Sequence, residues 1–274
     1  MEPTQVQQAN DLIMLFPEQY LAEIKFPHTR EIAIYLCESI EVFKGDRVRV
    51  TGPMESKIGT VVEVDFPIEI PTHIHDQVIS VIDTELFGGF HIVDHIWLTY
   101  DPKPLHKEKI RDWFISPYRH THCVPVADFE PFHLYDIDTF PIYTIRSKRG
   151  REYFEEERVV YICIDKTTGY AIVEGSEYYE VHFTFNDEQI TSMGCNCYCD
   201  GHCKHEYAVL LELECLIEDF MCTSDDEYVE SQFLAAINRD IVWNMSVRNK
   251  WYTKISLPNE EMDDEDFEGI EIIY

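Results

Sequence analysis

Cys195-Asn196-Cys197-Tyr198-Cys199-Asp200-Gly201-His202-Cys203-Lys204-His205 runs directly into an apolar stretch, Tyr207 to Phe220. Two ligand pairs stand here, Cys195/Cys197 and Cys203/His205, with five residues between them. Thiolate sulfur and neutral imidazole are the donors Zn2+ prefers, four at a time in a tetrahedron. Bond lengths of about 2.3 Å to sulfur and 2.0 Å to nitrogen put two sulfurs on one ion roughly 3.8 Å apart. A Cys-x-Cys pair reaches that spacing where a strand ends and the chain curls, and Gly194 makes a curl cheap. Cys203 and His205 fall at the first turn of the following helix, whose N–H groups and dipole favour thiolates. The expected metal ligands are therefore Cys195, Cys197, Cys203 and His205. Cys199 and His202, in the connecting loop, are the alternate ligands. Lys204 lies between two ligands, where it offsets the net negative charge of three thiolates and one Zn2+.

Upstream, residues 142–190 read as an antiparallel meander. Arg158 to Ile164 and Tyr170 to Gly175 form strands, and Tyr179, Val181, Phe183 and Phe185 alternate along a third. Gln189 to Met193 leads a last strand into the cysteines. Arg146-Ser147-Lys148-Arg149-Gly150-Arg151 reads as a basic turn, and Arg146, Lys148, Arg149 and Arg151 are the candidate nucleic-acid contacts.

These residues carry a resemblance. Arg149-Gly150-Arg151-Glu152-Tyr153-Phe154, Val173-Glu174-Gly175-Ser176-Glu177-Tyr178-Tyr179-Glu180-Val181, Cys195-x-Cys197 and Cys203-x-His205 together resemble the SWIM zinc-finger family over residues 149–213. The resemblance implies bound zinc, a ββα-type finger, and a role in contacting DNA or protein. In that family the module accompanies helicase-type ATPases, transposases and ubiquitin ligases. No Gly-Lys-Ser/Thr phosphate loop is found in this chain.

Further towards the N-terminus, Phe43-Lys44-Gly45-Asp46-Arg47-Val48-Arg49-Val50-Thr51-Gly52-Pro53 precedes Ile58-Gly59-Thr60-Val61-Val62-Glu63-Val64. Val48 and Val50 alternate with arginines as on a half-buried strand, Gly52-Pro53 marks a turn, and Gly59 admits a close approach. This pattern resembles the KOW motif of small SH3-like barrels, which implies contact with RNA or protein. Residues 40–100 are expected to form one barrel or curled sheet, with Gly88-Gly89 as a hairpin between Val78–Ile82 and Phe90–Val93. Leu12, Ile13, Leu15, Phe16, Tyr20, Leu21 and Ile24 recur at helical spacing, so residues 5–25 read as a helix. Phe233, Leu234, Ile237, Ile241, Val242 and Met245 do the same within 225–255. His120, His122 and Cys123, and His73 with His75 on one strand face, are lesser metal-binding groups without a second ligand pair.

The expected fold is α+β: an N-terminal helix and small SH3-like β-barrel, then an antiparallel meander closed by a zinc-stapled helix. The expected domains are 1–140, 141–222 (the finger), 223–258 (helical) and 259–274, an acidic disordered tail with eight carboxylates and no basic residue.

Composition narrows the function. Among 274 residues the net charge is −30, which opposes binding to phosphate backbones. Residues 141–222 themselves hold seven Lys or Arg against sixteen Asp or Glu. No apolar run approaches the roughly 20 residues of a membrane helix, and Met1-Glu2-Pro3-Thr4 lacks signal-peptide character. Six of nine cysteines lie between 195 and 222, which is not a dispersed disulfide framework. A cytoplasmic protein is expected, with no membrane association. Four ligands close a zinc shell, whereas a catalytic zinc keeps an open position. The expected function is a non-catalytic, zinc-binding interaction module with a protein partner. The alternatives are direct nucleic-acid binding through the finger and 146–151, an acidic nucleic-acid mimic, and a zinc enzyme using Asp200 or Glu206.

Overall fold

The structure, a computed structural model, describes residues 19–29, 32–66, 71, 73–86, 88–93, 95–119, 127–186, 189–223 and 231–246. The expected acidic tail, the His120/His122/Cys123 group and residues 5–18 of the expected first helix lie outside them. The chain divides into two compact units, one of residues 1–84 and 112–120, the other of 85–111 and 121–274. The boundary read near 140 falls inside the second unit.

The first unit is a five-stranded antiparallel sheet ordered β2-β1-β4-β3-β5. Its strands are β1 (Gln19–Lys25), β2 (Ile32–Glu38), β3 (Arg47–Val50), β4 (Gly59–Asp65) and β5 (Val78–Val81). Residues 19–25 are thus a strand where helical periodicity was expected. Tyr20, Leu21 and Ile24 fit either period, and pairing with β2 across Pro27-His28 decides for the strand, which buries Tyr20, Ala22 and Ile24. Val48 and Val50 are buried between half-buried arginines, as the alternation predicts. Arg47 donates through Nε to the Trp113 carbonyl at 3.1 Å, and Arg49 pairs with Asp112 at 3.1 Å. At Gly59 an added Cβ would lie 2.3 Å from Ile24, so β4 crosses β1 closely only because that side chain is missing. The edge strands β2 and β5 approach at a single parallel bridge, Leu36 to Gln77, and among the described residues no barrel closes. The expected barrel is corrected to a curled open sheet. Its further strands belong elsewhere, so Gly88-Gly89 is no hairpin: β5 pairs with β3, and the strand that follows pairs forward.

The second unit is built on an eight-stranded sheet ordered β6-β7-β13-β9-β10-β11-β12-β8, with every neighbour antiparallel. Its strands are β6 (His91–Val93), β7 (Ile96–Thr99), β8 (Ala127–His133), β9 (Val159–Asp165), β10 (Thr168–Glu174), β11 (Tyr178–Asn186), β12 (Gln189–Cys195) and β13 (Phe233–Asn238). The α-helices among the described residues are α1 (Lys107–Phe114), α2 (Thr144–Glu155), α3 (Lys204–Thr223) and α4 (Arg239–Ser246). The meander β9 to β12 is as read, and it is extended by three strands on one side and one on the other. α3 packs on β9 to β12, and its Leu210, Leu213, Leu216 and Ile217 share one buried core with Ile162, Val173, Val181 and Met193 of the sheet. No described helix is long and apolar enough to cross a membrane.

Two local expectations are corrected here. Phe233, Leu234 and Ile237 lie in β13, not in a helix; all six residues of Phe233–Asn238 are buried, and the strand sits between β7 and β9. A run apolar on both faces suits a central strand, while Ile241 and Val242 lie in the first turn of α4. Residues 146–151 are not a turn but the middle of α2. Gly150 is there for packing: an added Cβ would lie 2.8 Å from the Lys204 carbonyl oxygen and 2.8 Å from Tyr207 Cβ.

Candidate metal centre

β12 ends at Cys195, paired in register with Val181 of β11. Gly194 remains within the strand, opposite His182, and the chain bends one step later, over Asn196–Tyr198. The residue between the two thiols anchors that bend. Buried Asn196 donates its N–H to the Glu180 carbonyl at 3.1 Å. Its Oδ1 accepts the Glu180 N–H at 2.9 Å, and its Nδ2 donates to the Glu180 carboxylate at 3.2 Å. Glu180 is itself buried, and it also accepts Arg111 Nε at 2.7 Å and the Tyr170 hydroxyl at 3.0 Å. A buried carboxylate paired and hydrogen-bonded in this way is a rigid post.

The second pair rests on the start of α3. Cys203 caps the helix, and Glu206, three residues on, accepts the Cys203 N–H at 2.5 Å, which is half of a capping box. The other Glu206 oxygen lies 3.4 Å from His202 Nδ1. The His202 ring packs against Phe140 and Phe129, with centroids at 4.4 and 5.4 Å. His205 is stacked on Tyr179 at 4.2 Å and 18°.

Cys195, Cys197, Cys203 and His205 place one donor atom each within 4.8 Å of all the others, and the group can hold a metal ion. His205 Nδ1 is 3.6 Å from the Cys195 sulfur and 3.7 Å from the Cys203 sulfur. A shared tetrahedral ion requires about 3.5 Å between sulfur and nitrogen at the usual bond lengths. The imidazole therefore presents Nδ1. Its Nε2 is buried with no hydrogen-bond partner among the described residues. The ring is oriented by stacking on Tyr179, rather than by the carboxylate or carbonyl that most metal-bound imidazoles use.

Electrostatics support the same picture. Hydrogen bonds from Cys195 and Cys203 hold the Cys197 thiol far below its ordinary value. Cys195 is pushed up by its bond to Cys197, and Cys203 by its bond to Cys195. A divalent cation held by these thiols would take the place of their protons and let all three sulfurs ionise. The backbone N–H groups of Cys197 and Cys199 act in the lowering direction on Cys195 and Cys197, without reversing the rise at Cys195.

The remaining expected residues fall outside the cluster. Cys199 is exposed, and His202 is turned to Glu206 and the phenylalanines. Both Glu206 oxygens are engaged, so the carboxylate weighed as a base is a capping group. Arg146 donates to the carbonyls of Asp200 and His202 at 2.6 and 2.8 Å, pinning the ligand loop to α2. Lys148, Arg149 and Arg151 are exposed on α2. Lys204 turns from the sulfurs to the Tyr153 hydroxyl at 2.6 Å. His73 and His75 are exposed in the connection before β5, not on a strand. Sequence reasoning missed Asn196, Glu180 and Arg111. The one available signal was a carboxamide between two thiols at a strand end.

Comparison of the chain with protein-family models, with curated proteins and with solved structures finds no match.

Proposed function

We propose that the second unit is a zinc-stapled interaction module of SWIM type, non-catalytic, that contacts a protein partner. The observation that carries this reading is the convergence of four donors, from a strand end and a helix start, within 4.8 Å. Three thiolates and one imidazole, with no carboxylate among them, suit Zn2+ in a closed structural shell. A complete shell and an engaged Glu206 leave neither an open coordination position nor a free base, which favours a structural ion over a catalytic one.

The partner surface is sought beside the staple. Tyr143, Ile145 and Tyr198 are 75%, 74% and 84% exposed, an unusual density of large apolar side chains in water. The net charge of −30 disfavours a phosphate backbone as the general partner. A second reading, direct nucleic-acid contact, is favoured by the exposure of Lys148, Arg149 and Arg151 on one helix. The five-stranded unit is read as a KOW-like module whose Arg47 and Arg49 hold its own structure. The cytoplasm, which keeps thiols reduced, suits the four donors.

Titration of the full chain with duplex and single-stranded DNA across a salt series tests the choice. The protein reading predicts no binding at low salt. Salt-dependent binding lost in the Lys148→Glu/Arg149→Glu variant overturns it in favour of nucleic acid.

A further inference from the structure

The chain leaves its last described strand at the end of the sheet that carries the four donors. Register fixes this. Ile237 of β13 lies opposite Tyr161 near the start of β9, and Val159 lies opposite Val173 near the end of β10. Glu174 lies opposite Tyr178 at the start of β11, and Val181 opposite Cys195 at the end of β12. α2 runs into β9 at this same end. Four strand spacings of about 4.8 Å put β13 roughly 19 Å from β12. α4 follows β13 and ends at Ser246, and fourteen residues further on Glu260 opens the acidic segment. Fourteen residues span up to about 46–50 Å, well beyond that width.

The outer face of α2 is within that reach. Ile145, Lys148 and Arg149 are exposed and stand at three-and-four spacing, so they share one side of the helix. Exposed Tyr143 precedes them, with the Arg146 guanidinium 5.4 Å from its ring centre. Arg146 also holds the ligand loop at Asp200 and His202, which brings the loop of exposed Tyr198 alongside. Among the described residues no carboxylate is paired with Lys148 or Arg149. Glu152 follows one turn later, so the apolar and cationic surface is confined to the first two turns of α2.

In a chain of net charge −30 little of the surface attracts an acidic segment, and this part does. Residues 260–274 combine eight carboxylates and no basic residue with Met262, Phe267, Ile270, Ile272 and Tyr274. The carboxylates complement Lys148 and Arg149, and the apolar side chains complement Tyr143, Ile145 and Tyr198. We infer that residues 260–274 dock on the outer face of α2 of their own chain, as an autoinhibitory cover that a partner must displace. The inference adds to the partner reading an occupant from the chain itself, and it does not depend on the ion. A short tether holds such a segment at a roughly millimolar effective concentration, enough for contacts that are individually weak.

The test compares two full chains, the native one and one whose Asp and Glu residues between 260 and 271 are replaced by Asn and Gln. A fluorescein-labelled synthetic peptide of residues 259–274 is titrated into each at low salt and followed by anisotropy. The amide-tailed chain is expected to bind it at least about tenfold more tightly than the native chain, whose own segment holds the site. High salt is expected to weaken this binding. Lys148→Glu/Arg149→Glu in the amide-tailed chain is expected to weaken it about tenfold. A carbodiimide, which joins an amine to a carboxylate in contact with it, is expected to link Lys148 to residues 260–271 within one native chain. Equal binding to the two chains, binding indifferent to Lys148→Glu/Arg149→Glu, or links formed only between two copies overturns the inference while leaving the partner reading intact. Salt-dependent DNA binding gained by the amide-tailed chain and lost with Lys148→Glu/Arg149→Glu supports the cover and overturns the protein-partner reading in favour of nucleic acid.

Discussion

Asn196 carries no charge and binds no metal, yet it sets the geometry of the thiols on either side of it. Its three hydrogen bonds to Glu180 fix the bend that turns Cys197 back towards Cys195. Asn196→Ala leaves the Glu180 N–H without its acceptor and takes one of two donors from the carboxylate Oε2, the other being Arg111, a loss of about 1–3 kcal/mol of stability. Zinc affinity should fall about 10–100-fold, as for other residues that orient ligands. Competition with a chelator of known affinity reads this directly, and unchanged zinc affinity would show that the bend holds without Asn196. In the first unit, burial pushes Cys37 up to about 12 from 9.0 and Tyr20 up to about 12 from 10.0. Both groups keep their protons in the folded sheet and lose them sooner when unfolded, so their contribution is complete below pH 9 and falls as pH rises from there towards 12. Alkaline unfolding of β1–β5, followed by circular dichroism or amide exchange, should begin near the lower value, and Cys37→Ala should move the onset upward. The four donors were legible from spacing because tetrahedral coordination demands close pairs. Asn196, Glu180 and Arg111 were not, because what joins them is a cross-strand pairing between residues 16 apart and an ion pair between residues 69 apart.

At the scale of elements, the four donors bring the end of β12 to the start of α3, and α2 buttresses the junction. Gly150 marks the crossing. In an isolated helix Gly→Ala stabilises by about 1 kcal/mol. Here the added methyl meets a backbone oxygen at 2.8 Å, which cannot swing aside as a side-chain tip would. Overpacking of this kind costs about 1–3 kcal/mol, so Gly150→Ala should lower the stability of the second unit despite its better propensity. Chemical denaturation decides the sign; a gain would mean that α2 and α3 separate freely. The meander and α3 were readable because β11 alternates cleanly and α3 is a long apolar run closed at its start by a capping carboxylate. Residues 19–25 and 233–238 were misread for a shared reason. Short apolar runs fit both helical and extended periods, and the decision comes from partners far along the chain: Ile32–Glu38 for the first, Ile96–Thr99 and Val159–Asp165 for the second. The basic stretch 146–151 looked like a turn because Gly150 suggests one, whereas the glycine is there to admit α3.

At the scale of the molecule, each of the two units has a hydrophobic core of its own, and the candidate metal centre belongs to the second. Sequence order alone did not reveal the division, because residues 85–111 leave the first sheet for the second, and residues 112–120 return to it. The α+β class and the antiparallel pairing were legible throughout; the barrel was not, since closure depends on whether two edges meet along their length or at one bridge. Chelation of the ion should speed amide exchange in β12 and the first turns of α3, while leaving β1 to β5 as they were. Structural zinc stabilises small modules by on the order of 10 kcal/mol. Equal loss of protection in both sheets would contradict a staple confined to the second unit. Whether Cys195, Cys197, Cys203 and His205 close a zinc shell is decided by X-ray absorption at the zinc edge of the purified full chain. One zinc per chain is expected, with three sulfurs at about 2.3 Å and one nitrogen at about 2.0 Å. A shell containing a water or carboxylate oxygen, or a folded chain with no zinc at all, would contradict it.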